Sequence, residues 1–181
     1  QQNFEKIPGL AIGFWISEKM VNLFNHKTLD SIGKTRHGMT TGNNARFLRL
    51  WHEIAYHKFG INYKSTSEAQ ESRKKWFPYN KGGTFRKWYG NQDYVVNYEN
   101  DGEEIKEFTS HLPQGTWVRV MSREYYFLES ITWSKTSSRN FGVRFSPYGF
   151  IFDVAGSSYF PYNNLKYASG LLNTKLSAYL L

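Results

Sequence analysis

The sequence predicts a mixed α+β domain that is mainly β, with few helices and a helical C-terminus. Short runs of β-branched and aromatic residues recur along the chain between Gly, Asn and Pro breakers. Hydrophobic residues make up 40% of the 181 residues and aromatic residues 18%, which suffices for the core of one domain. A sustained helical spacing of apolar residues begins only at Tyr162.

The first half of the chain is predicted to contain short elements between long loops. Ser17 can cap a short helix that ends near Phe24. Residues 46–54 fit an alternating strand or a helix, and we favour the strand. The remaining predictions are a strand at 12–16, a glycine-rich loop at 33–44, an exposed polar stretch at 62–74, and a long aromatic loop with short strands at 75–89.

The second half is predicted to be richer in strands. Asp101-Gly102 forms a turn that leads into a helix at 103–108. Proline second and glycine fourth in Ser146-Pro147-Tyr148-Gly149 suit a type I turn, which predicts a hairpin of residues 141–145 and 150–154. Further strands are expected at 94–98, 117–121 and 131–133, and a helix from 162 to the end.

We expect one domain over residues 1–161 and the start of a connecting helix over 162–181. The chain opens with Gln1-Gln2 instead of Met and closes on Leu180-Leu181 inside an apolar pattern. These two features predict that the sequence is a piece of a longer protein.

Positive charge is concentrated in one third of the chain. Residues 34–92 carry twelve bases against three acids, whereas the whole chain has a net charge of +8. Seven aromatic residues are interleaved with these bases: Trp51, Trp76, Phe77, Tyr79, Phe85, Trp88 and Tyr89. Lys and Arg neutralise phosphates and aromatic faces stack on bases, so this region indicates either a nucleic-acid partner or a solvated basic surface.

Several function classes are excluded or disfavoured. Without cysteine the chain has no disulfide, cysteine-ligated zinc or thiol nucleophile, and its five scattered histidines lack metal-ligand spacing. No phosphate-binding glycine motif or nucleophile-elbow motif occurs. No apolar run approaches about 20 residues and no secretory signal is present, so we expect a cytoplasmic protein without a membrane partner.

One enzymatic alternative is a magnesium-dependent nuclease. Glu104-Ile105-Lys106, with Asp93 or Asp101 upstream, has the acid-spacer-lysine pattern of many restriction-type nucleases. Such a site uses carboxylates to hold Mg²⁺ and a lysine to stabilise charge at the scissile phosphate. A second alternative is a protein-docking module of a defence complex, with the acidic stretch 93–129 as its contact.

Longer motifs carry a resemblance to a known family. Residues 37–49 (HGMTTGNNARFLR) resemble the opening of target-recognition regions in large adenine-specific DNA methyltransferases. Residues 75–91 (KWFPYNKGGTFRKWYGN) and 94–106 (YVVNYENDGEEIK) are similar to PglX-like methyltransferases of BREX phage-exclusion systems and their type II restriction–modification relatives. The match continues through 141–145 (FGVRF), 149–158 (GFIFDVAGSS) and the tail from 165.

The resemblance implies a target-recognition domain that binds a short double-stranded DNA site. The catalytic domain of such proteins carries an Asn/Asp-Pro-Pro-Tyr loop and lies N-terminal to the recognition region in the same polypeptide. Neither Phe77-Pro78-Tyr79 nor Ser146-Pro147-Tyr148 has this loop's leading Asn/Asp and double proline. We therefore expect no catalysis and no cofactor in this segment, and S-adenosylmethionine in the parent protein's catalytic domain.

Candidate DNA-contacting residues lie in or beside the predicted loops. Cations grip phosphates, whereas Arg suits guanine and Asn suits adenine in the major groove. Structural roles stay open: the asparagines also bond loop backbone, and we expect Trp76, Phe77 and Trp88 in the core. The phosphate candidates are Lys34, Arg36, Lys74, Lys75, Lys81 and Lys87, and the base-readout candidates are Asn43, Asn44, Asn80, Arg86 and Arg139.

Overall fold

A computed structural model describes residues 17–23, 25–113, 119–136 and 141–180. The helices are α1 (Glu18–Leu23), α2 (Asn44–Phe47), α3 (Thr66–Glu71), α4 (Glu99–Ser110), α5 (Leu165–Leu172) and α6 (Lys175–Leu180). The strands are β1 (Gly33–Arg36), β2 (Leu48–Leu50), β3 (Trp76–Asn80), β4 (Tyr94–Asn97), β5 (Ser130–Thr132), β6 (Arg144–Ser146), β7 (Ile151–Phe152) and β8 (Ser158–Pro161). The predicted α+β class with a mainly β framework is confirmed.

The strands form two four-stranded sheets. The first sheet has the order β1-β8-β5-β6 and is antiparallel throughout. The second sheet has the order β2-β4-β3-β7, in which only the β3–β7 pair is parallel. In chain order, β2–β4 all belong to the second sheet, whereas β1, β5, β6 and β8 belong to the first and β7 returns to the second. The β1–β8 and β3–β7 pairs therefore join distant parts of the chain.

Alternation along the strands produces two hydrophobic clusters. In the second sheet, Phe77 and Tyr79 of β3 and Val96 of β4 point into the larger cluster with Ile105 of α4. In the first sheet, Ile131 of β5 and Tyr159 of β8 pack against Ala168 and Leu172 of α5. Since successive strand side chains face opposite sides, each of these sets of residues lies on one face of its sheet.

The other face of the first sheet carries buried polar side chains. Ser130 and Thr132 of β5, Arg144 and Ser146 of β6 and Ser158 of β8 are all buried. Hydrogen bonds satisfy many of the polar groups on this face. The Thr132 hydroxyl lies 3.0 Å from the carbonyl oxygen of Gly156, and the Ser146 hydroxyl accepts a hydrogen bond from Asn80. Burial lowers the pKa of the Arg144 guanidinium, whose Nε has no hydrogen-bond partner among the described residues.

Several local predictions are confirmed. Ser17 Oγ accepts the backbone N–H of Met20 at 3.4 Å and begins α1. Residues 94–97 form β4, and residues 130–132 form β5. The turn at Asp101-Gly102 is present as left-handed backbone, with φ of 60° and 73°, inside the element that continues as the predicted helix.

The predicted hairpin is wrong. The backbone does turn at Tyr148 and Gly149, where Gly149 adopts a φ of 95°. However, β6 pairs with β5 in the first sheet, and β7 pairs with β3 in the second. The turn therefore transfers the chain from one sheet to the other. Arg144 and Asp153, which lie in the two strands of the predicted hairpin, have separate partners.

The loop assignment at 33–44 is corrected in part, and the short strands predicted within 75–89 are confirmed by β3. The glycine-rich stretch 33–44 contains β1, and the polar stretch 62–74 contains α3. Residues 75–89 contain β3, a strand buried along its length despite Pro78. Proline is tolerated because β7 pairs only with Tyr79 and Asn80, which leaves no strand on that side at Pro78. Trp76 and Phe77 are buried as expected, but Trp88 is 56% exposed.

Residues 46–54 are also more broken than the strand we favoured. They divide between the end of α2, the short β2 and a 3-10 turn at Trp51–Glu53. The predicted strand at 12–16 and the first two residues of the predicted strand at 117–121 lie outside the described residues. Residues 119–121, which the structure describes, form no strand.

The C-terminal helix is interrupted after Leu172. Asn173 ends α5 and uses its side-chain amide to bond both backbone groups of Val143, with Oδ1 and Nδ2 each at 3.0 Å. The Thr174 hydroxyl then accepts the backbone N–H of Ser177 at 3.2 Å and caps α6. None of the helices in the described part of the chain has the length and apolar character to cross a membrane.

Candidate nucleic-acid interface

The six cations predicted to bind phosphate each contact another part of the protein. Five of the six partners lie at least 17 positions away in the sequence, and the partner of Lys34 lies four positions away. Lys34 contacts Asp30 at 3.3 Å, Arg36 contacts Tyr125 Oη at 3.1 Å, Lys74 contacts the His57 carbonyl at 2.6 Å, Lys75 contacts Glu99 at 3.4 Å, Lys81 contacts Asp153 at 3.4 Å and Lys87 contacts the Asn173 carbonyl at 2.7 Å. Their contact with DNA stays a prediction.

The base-readout candidates divide into bonded and unbonded side chains. Asn43 Oδ1 accepts the Arg46 backbone N–H at 3.0 Å and caps α2, while Asn44 Oδ1 accepts the Thr41 hydroxyl at 2.7 Å. Asn80 is only 3% exposed, and its amide donates to Ser146 Oγ at 2.6 Å. Arg86 is exposed and has no hydrogen-bond or ion-pair partner among the described residues. Arg139 lies outside the described residues.

The resemblance motifs meet at a tightly packed junction. The backbone N–H of Met39 donates to the Phe152 carbonyl at 3.0 Å, and a Cβ on Gly38 would lie 1.7 Å from that oxygen. Asp153, which follows Phe152 in the sequence, accepts a hydrogen bond from the Tyr79 hydroxyl at 2.9 Å and forms an ion pair with Lys81 at 3.4 Å. The contacts of these motif residues are therefore internal and hold β3 and β7 against the segment around Met39.

Three residues of the nuclease alternative, Asp101, Glu104 and Lys106, are engaged in ion pairs. The Arg46 guanidinium donates to Glu104 at 2.8 and 3.0 Å, and these hydrogen bonds, opposed by partial burial, hold the pKa of Glu104 below its ordinary value. Lys106 contacts Asp101 at 2.7 Å, and burial lowers the pKa of Lys106. In the part of the chain that the structure describes, no three His, Cys, Asp or Glu residues are arranged to hold a metal ion.

A groove lined mainly by aromatic residues lies on the second sheet. It has a volume of about 310 Å³. We call it the aromatic groove. Its lining residues are Trp51, Phe59, Ile61, Asn62, Pro78, Tyr89, Gln92, Tyr94, Val95, Pro147, Tyr148 and Phe150. Trp51 is 55% exposed and Tyr89 is 67% exposed, so these rings are accessible and are not part of the core.

The floor of the aromatic groove is the outward face of the second sheet. Pro78 of β3 lies directly opposite Val95 of β4, and both side chains are buried. Their neighbours Phe77 and Val96 point the other way, into the core. Because both floor residues belong to paired strands, the base of the groove is rigid.

Loops from distant segments build the walls. The Trp51 backbone N–H donates to the Asp93 carbonyl at 2.9 Å, which ties the end of β2 to the start of β4. On the other side, Gly149 lies so close to Asn62 that an added Cβ would be 2.8 Å from the Asn62 backbone nitrogen. This close approach places Asn62 beside the ring of Tyr148.

Three cations lie next to lining residues of the aromatic groove in sequence or in space. Lys58 directly precedes the lining residue Phe59, and Lys64 Nζ lies 5.7 Å from the centroid of the Tyr148 ring. Arg86 packs against Gly90, next to Tyr89, with its Cγ 3.3 Å from the position of a Cβ. These three cations, which we call the rim cations, form no ion pair with any described residue, whereas Asp93 is an exposed carboxylate nearby.

Most of this groove was not among the sequence-predicted site residues. None of the ten candidates that the structure describes lines the groove, and Arg86 packs beside its lining residue Tyr89. Trp51 and Tyr89 do belong to the aromatic residues interleaved with the basic stretch, and Lys58 and Lys64 are among its twelve bases. The compositional signal therefore included these residues, but the pattern alone did not distinguish them from the neighbouring bonded cations.

Two known proteins match this chain over all or nearly all of the chain's own length. It is 46% identical, over 189 aligned positions, to the adenine-specific methyltransferase PglX of Lacticaseibacillus casei (strain Zhang), with the whole chain aligned. It is 37% identical to the adenine-specific methyltransferase BrxX of Escherichia coli O9:H4 (strain HS), over 91% of the chain. The chain is homologous to one segment of these methyltransferases.

This homology confirms the family resemblance seen in the sequence motifs. The chain spans 15% of the length of PglX and 12% of the length of BrxX, so it corresponds to a small part of each relative. No protein-family model matches the chain. The role of this segment in target recognition stays a prediction.

Proposed function

We propose that this chain is the double-stranded DNA target-recognition region of an adenine-N6 DNA methyltransferase that acts in a BREX-type phage-defence or restriction–modification system. In this proposal the segment binds DNA and does not catalyse methyl transfer. S-adenosylmethionine and the catalytic loop belong to an N-terminal domain of the same cytoplasmic polypeptide. Homology to two adenine-specific methyltransferases supports the proposal.

The observation that carries the DNA-binding role is the group of rim cations around exposed rings. Lys58, Lys64 and Arg86 have no carboxylate partner among the described residues, so their charge is available to an external anion. Phosphate contacts position a protein on the duplex and make binding salt-dependent. The six cations that the sequence predicted to bind phosphate have internal partners, so they would have to give up those contacts to bind DNA.

The test is the salt dependence of duplex binding, measured by fluorescence anisotropy. We expect Lys58→Glu with Lys64→Glu to weaken binding at least tenfold at low salt. The log–log salt slope should become shallower by about 2, because each neutralised phosphate contributes roughly 0.9.

A matched control keeps the total charge change equal. Lys166→Glu with Lys175→Glu places the same four units of negative charge on exposed positions of α5 and α6. Lys74→Glu with Lys75→Glu tests the patch predicted from sequence. Equal weakening by the rim and control pairs, or no duplex binding by the unaltered chain at low salt, would contradict the proposal.

A further inference from the structure

The aromatic groove combines ring faces with two unbonded amide side chains. Trp51, Tyr89 and Tyr148 contribute rings, while Asn62 and Gln92 contribute the only side-chain amides among the lining residues. Neither amide has a hydrogen-bond partner among the described residues. Stacking surfaces and an amide with one donor and one acceptor edge are the two elements with which proteins hold a single nucleobase.

The groove combines a buried apolar floor with exposed ring faces. Its floor, Pro78 and Val95, is apolar and buried, whereas Trp51 and Tyr89 expose more than half of their surface. An apolar ring inserted between them would remove these exposed faces from water. Burying apolar area is favourable by about 25 cal/mol per Å², which provides a driving force for an aromatic occupant.

Charge identifies the class of occupant. The rim cations Lys58, Lys64 and Arg86 lie beside Phe59, Tyr148 and Tyr89 respectively. A neutral proline-rich peptide would use the rings and leave the cations unpaired. A nucleotide instead uses both, because its base is a planar ring and its phosphate is an anion. Charge complementarity therefore favours nucleic acid over a neutral peptide.

We infer that the aromatic groove binds one unpaired nucleobase of bound DNA, with adenine preferred. The preference follows from Asn62 and Gln92, since an amide can bond N6 and N7 of adenine together. Bases in a regular duplex are stacked and paired, so the occupant is a base that has left the stack. This inference rests on the proposed DNA-binding function and assigns a second task to the same surface.

The test compares three labelled duplexes that differ at one position: fully paired, with one bulged adenine, and with one bulged thymine. We expect the 181-residue chain to bind the bulged-adenine duplex about tenfold more tightly than the paired one, in line with the measured energies of base–aromatic stacking. Trp51→Ala should remove most of this preference, and Trp51→Phe, which keeps a ring, should retain part of it. Asn62→Ala with Gln92→Leu should abolish the preference for adenine over thymine.

Tyr167→Ala is the matched control, since Tyr167 is an exposed aromatic residue of α5 that does not line the groove. It should leave all three affinities unchanged. Circular dichroism melting checks that each variant is folded.

The outcomes separate the two proposals. If no duplex is bound, the proposed function fails as well. If paired DNA is bound but bulged adenine gives no advantage, or the advantage survives Trp51→Ala, only the inferred base site is overturned. Binding of a proline-rich peptide that requires Trp51, without any bulge preference, would overturn it in favour of a peptide groove.

Discussion

The Tyr79 hydroxyl lies 2.9 Å from Oδ2 of Asp153 in the interior of the protein. It is also 3.0 Å from the carbonyl oxygen of Met39, so one hydroxyl joins three segments that are distant in sequence. Burial and the neighbouring Asp153 carboxylate raise the pKa of Tyr79 well above its ordinary value. The residue therefore stays protonated and acts as a donor at physiological pH.

Removing this hydroxyl should destabilise the fold. Tyr79→Phe leaves two buried acceptors short of one donor, and we expect the free energy of unfolding in urea to fall by about 1–3 kcal/mol. Tyr126→Phe is the control, because the buried Tyr126 hydroxyl bonds to no residue in the part of the chain that the structure describes. That variant should be neutral or slightly more stable. Equal losses for both variants would show that the Tyr79 bonds contribute nothing specific.

Gly38 is required by contact with the backbone of Phe152. A Cβ there would lie 1.7 Å from the Phe152 carbonyl oxygen, which already accepts the Met39 N–H. We expect Gly38→Ala to lower the free energy of unfolding by about 3 kcal/mol or more, since backbone must shift. Gly170→Ala in α5, where nothing lies within 4 Å, should raise it by about 0.5–1 kcal/mol. A stable Gly38→Ala protein would contradict the observed packing.

Glu104 should give stability a dependence on pH. Hydrogen bonds from Arg46 lower its pKa in the folded state below the ordinary value of 4.5. Its contribution is therefore present above pH 4.5 and is lost as the pH falls through the lowered folded-state pKa.

We expect Glu104→Gln to cost less than about 1 kcal/mol at pH 7, because the pair is solvent-screened. The difference between the two proteins should shrink in urea unfolding measured from pH 7 to pH 3. If the difference in free energy of unfolding grows as the pH falls, the proposed role of the Glu104 carboxylate is wrong.

Asn173 joins the break between α5 and α6 to the residue before β6. Its amide bonds the N–H and the carbonyl of Val143, and the Val143 carbonyl also accepts the Trp88 N–H. Asn173→Ala leaves a buried N–H unpaired, so we expect a loss of about 1–3 kcal/mol in thermal or urea unfolding. Asn163→Ala, at an exposed position, should change stability by less than about 0.5 kcal/mol. Similar effects of the two changes would argue against a bridging role.

Local sequence signals were sufficient to predict a structural feature where that feature depends on residues close together in the sequence. The cap at Ser17 and the turn at Asp101-Gly102 follow from residues within four positions, and both are present. The hairpin prediction failed for the opposite reason. The chain does turn at Tyr148 and Gly149, but the Gly149 N–H donates to the Phe127 carbonyl, and the flanking strands pair elsewhere, with β5 and β3. Strand pairing depends on long-range packing that a turn motif does not specify.

The amino-acid sequence by itself determined the class of fold, the concentration of cations among aromatic residues, and the family likeness carried by its motifs. The tertiary structure decided which of those cations are neutralised. Folding brings Glu104 to Arg46 and Asp153 to Lys81 across 58 and 72 positions, while Lys58 and Arg86 receive no carboxylate from the described chain. Charge is a property of composition, but its availability to a partner depends on which acids the fold places within a few ångströms.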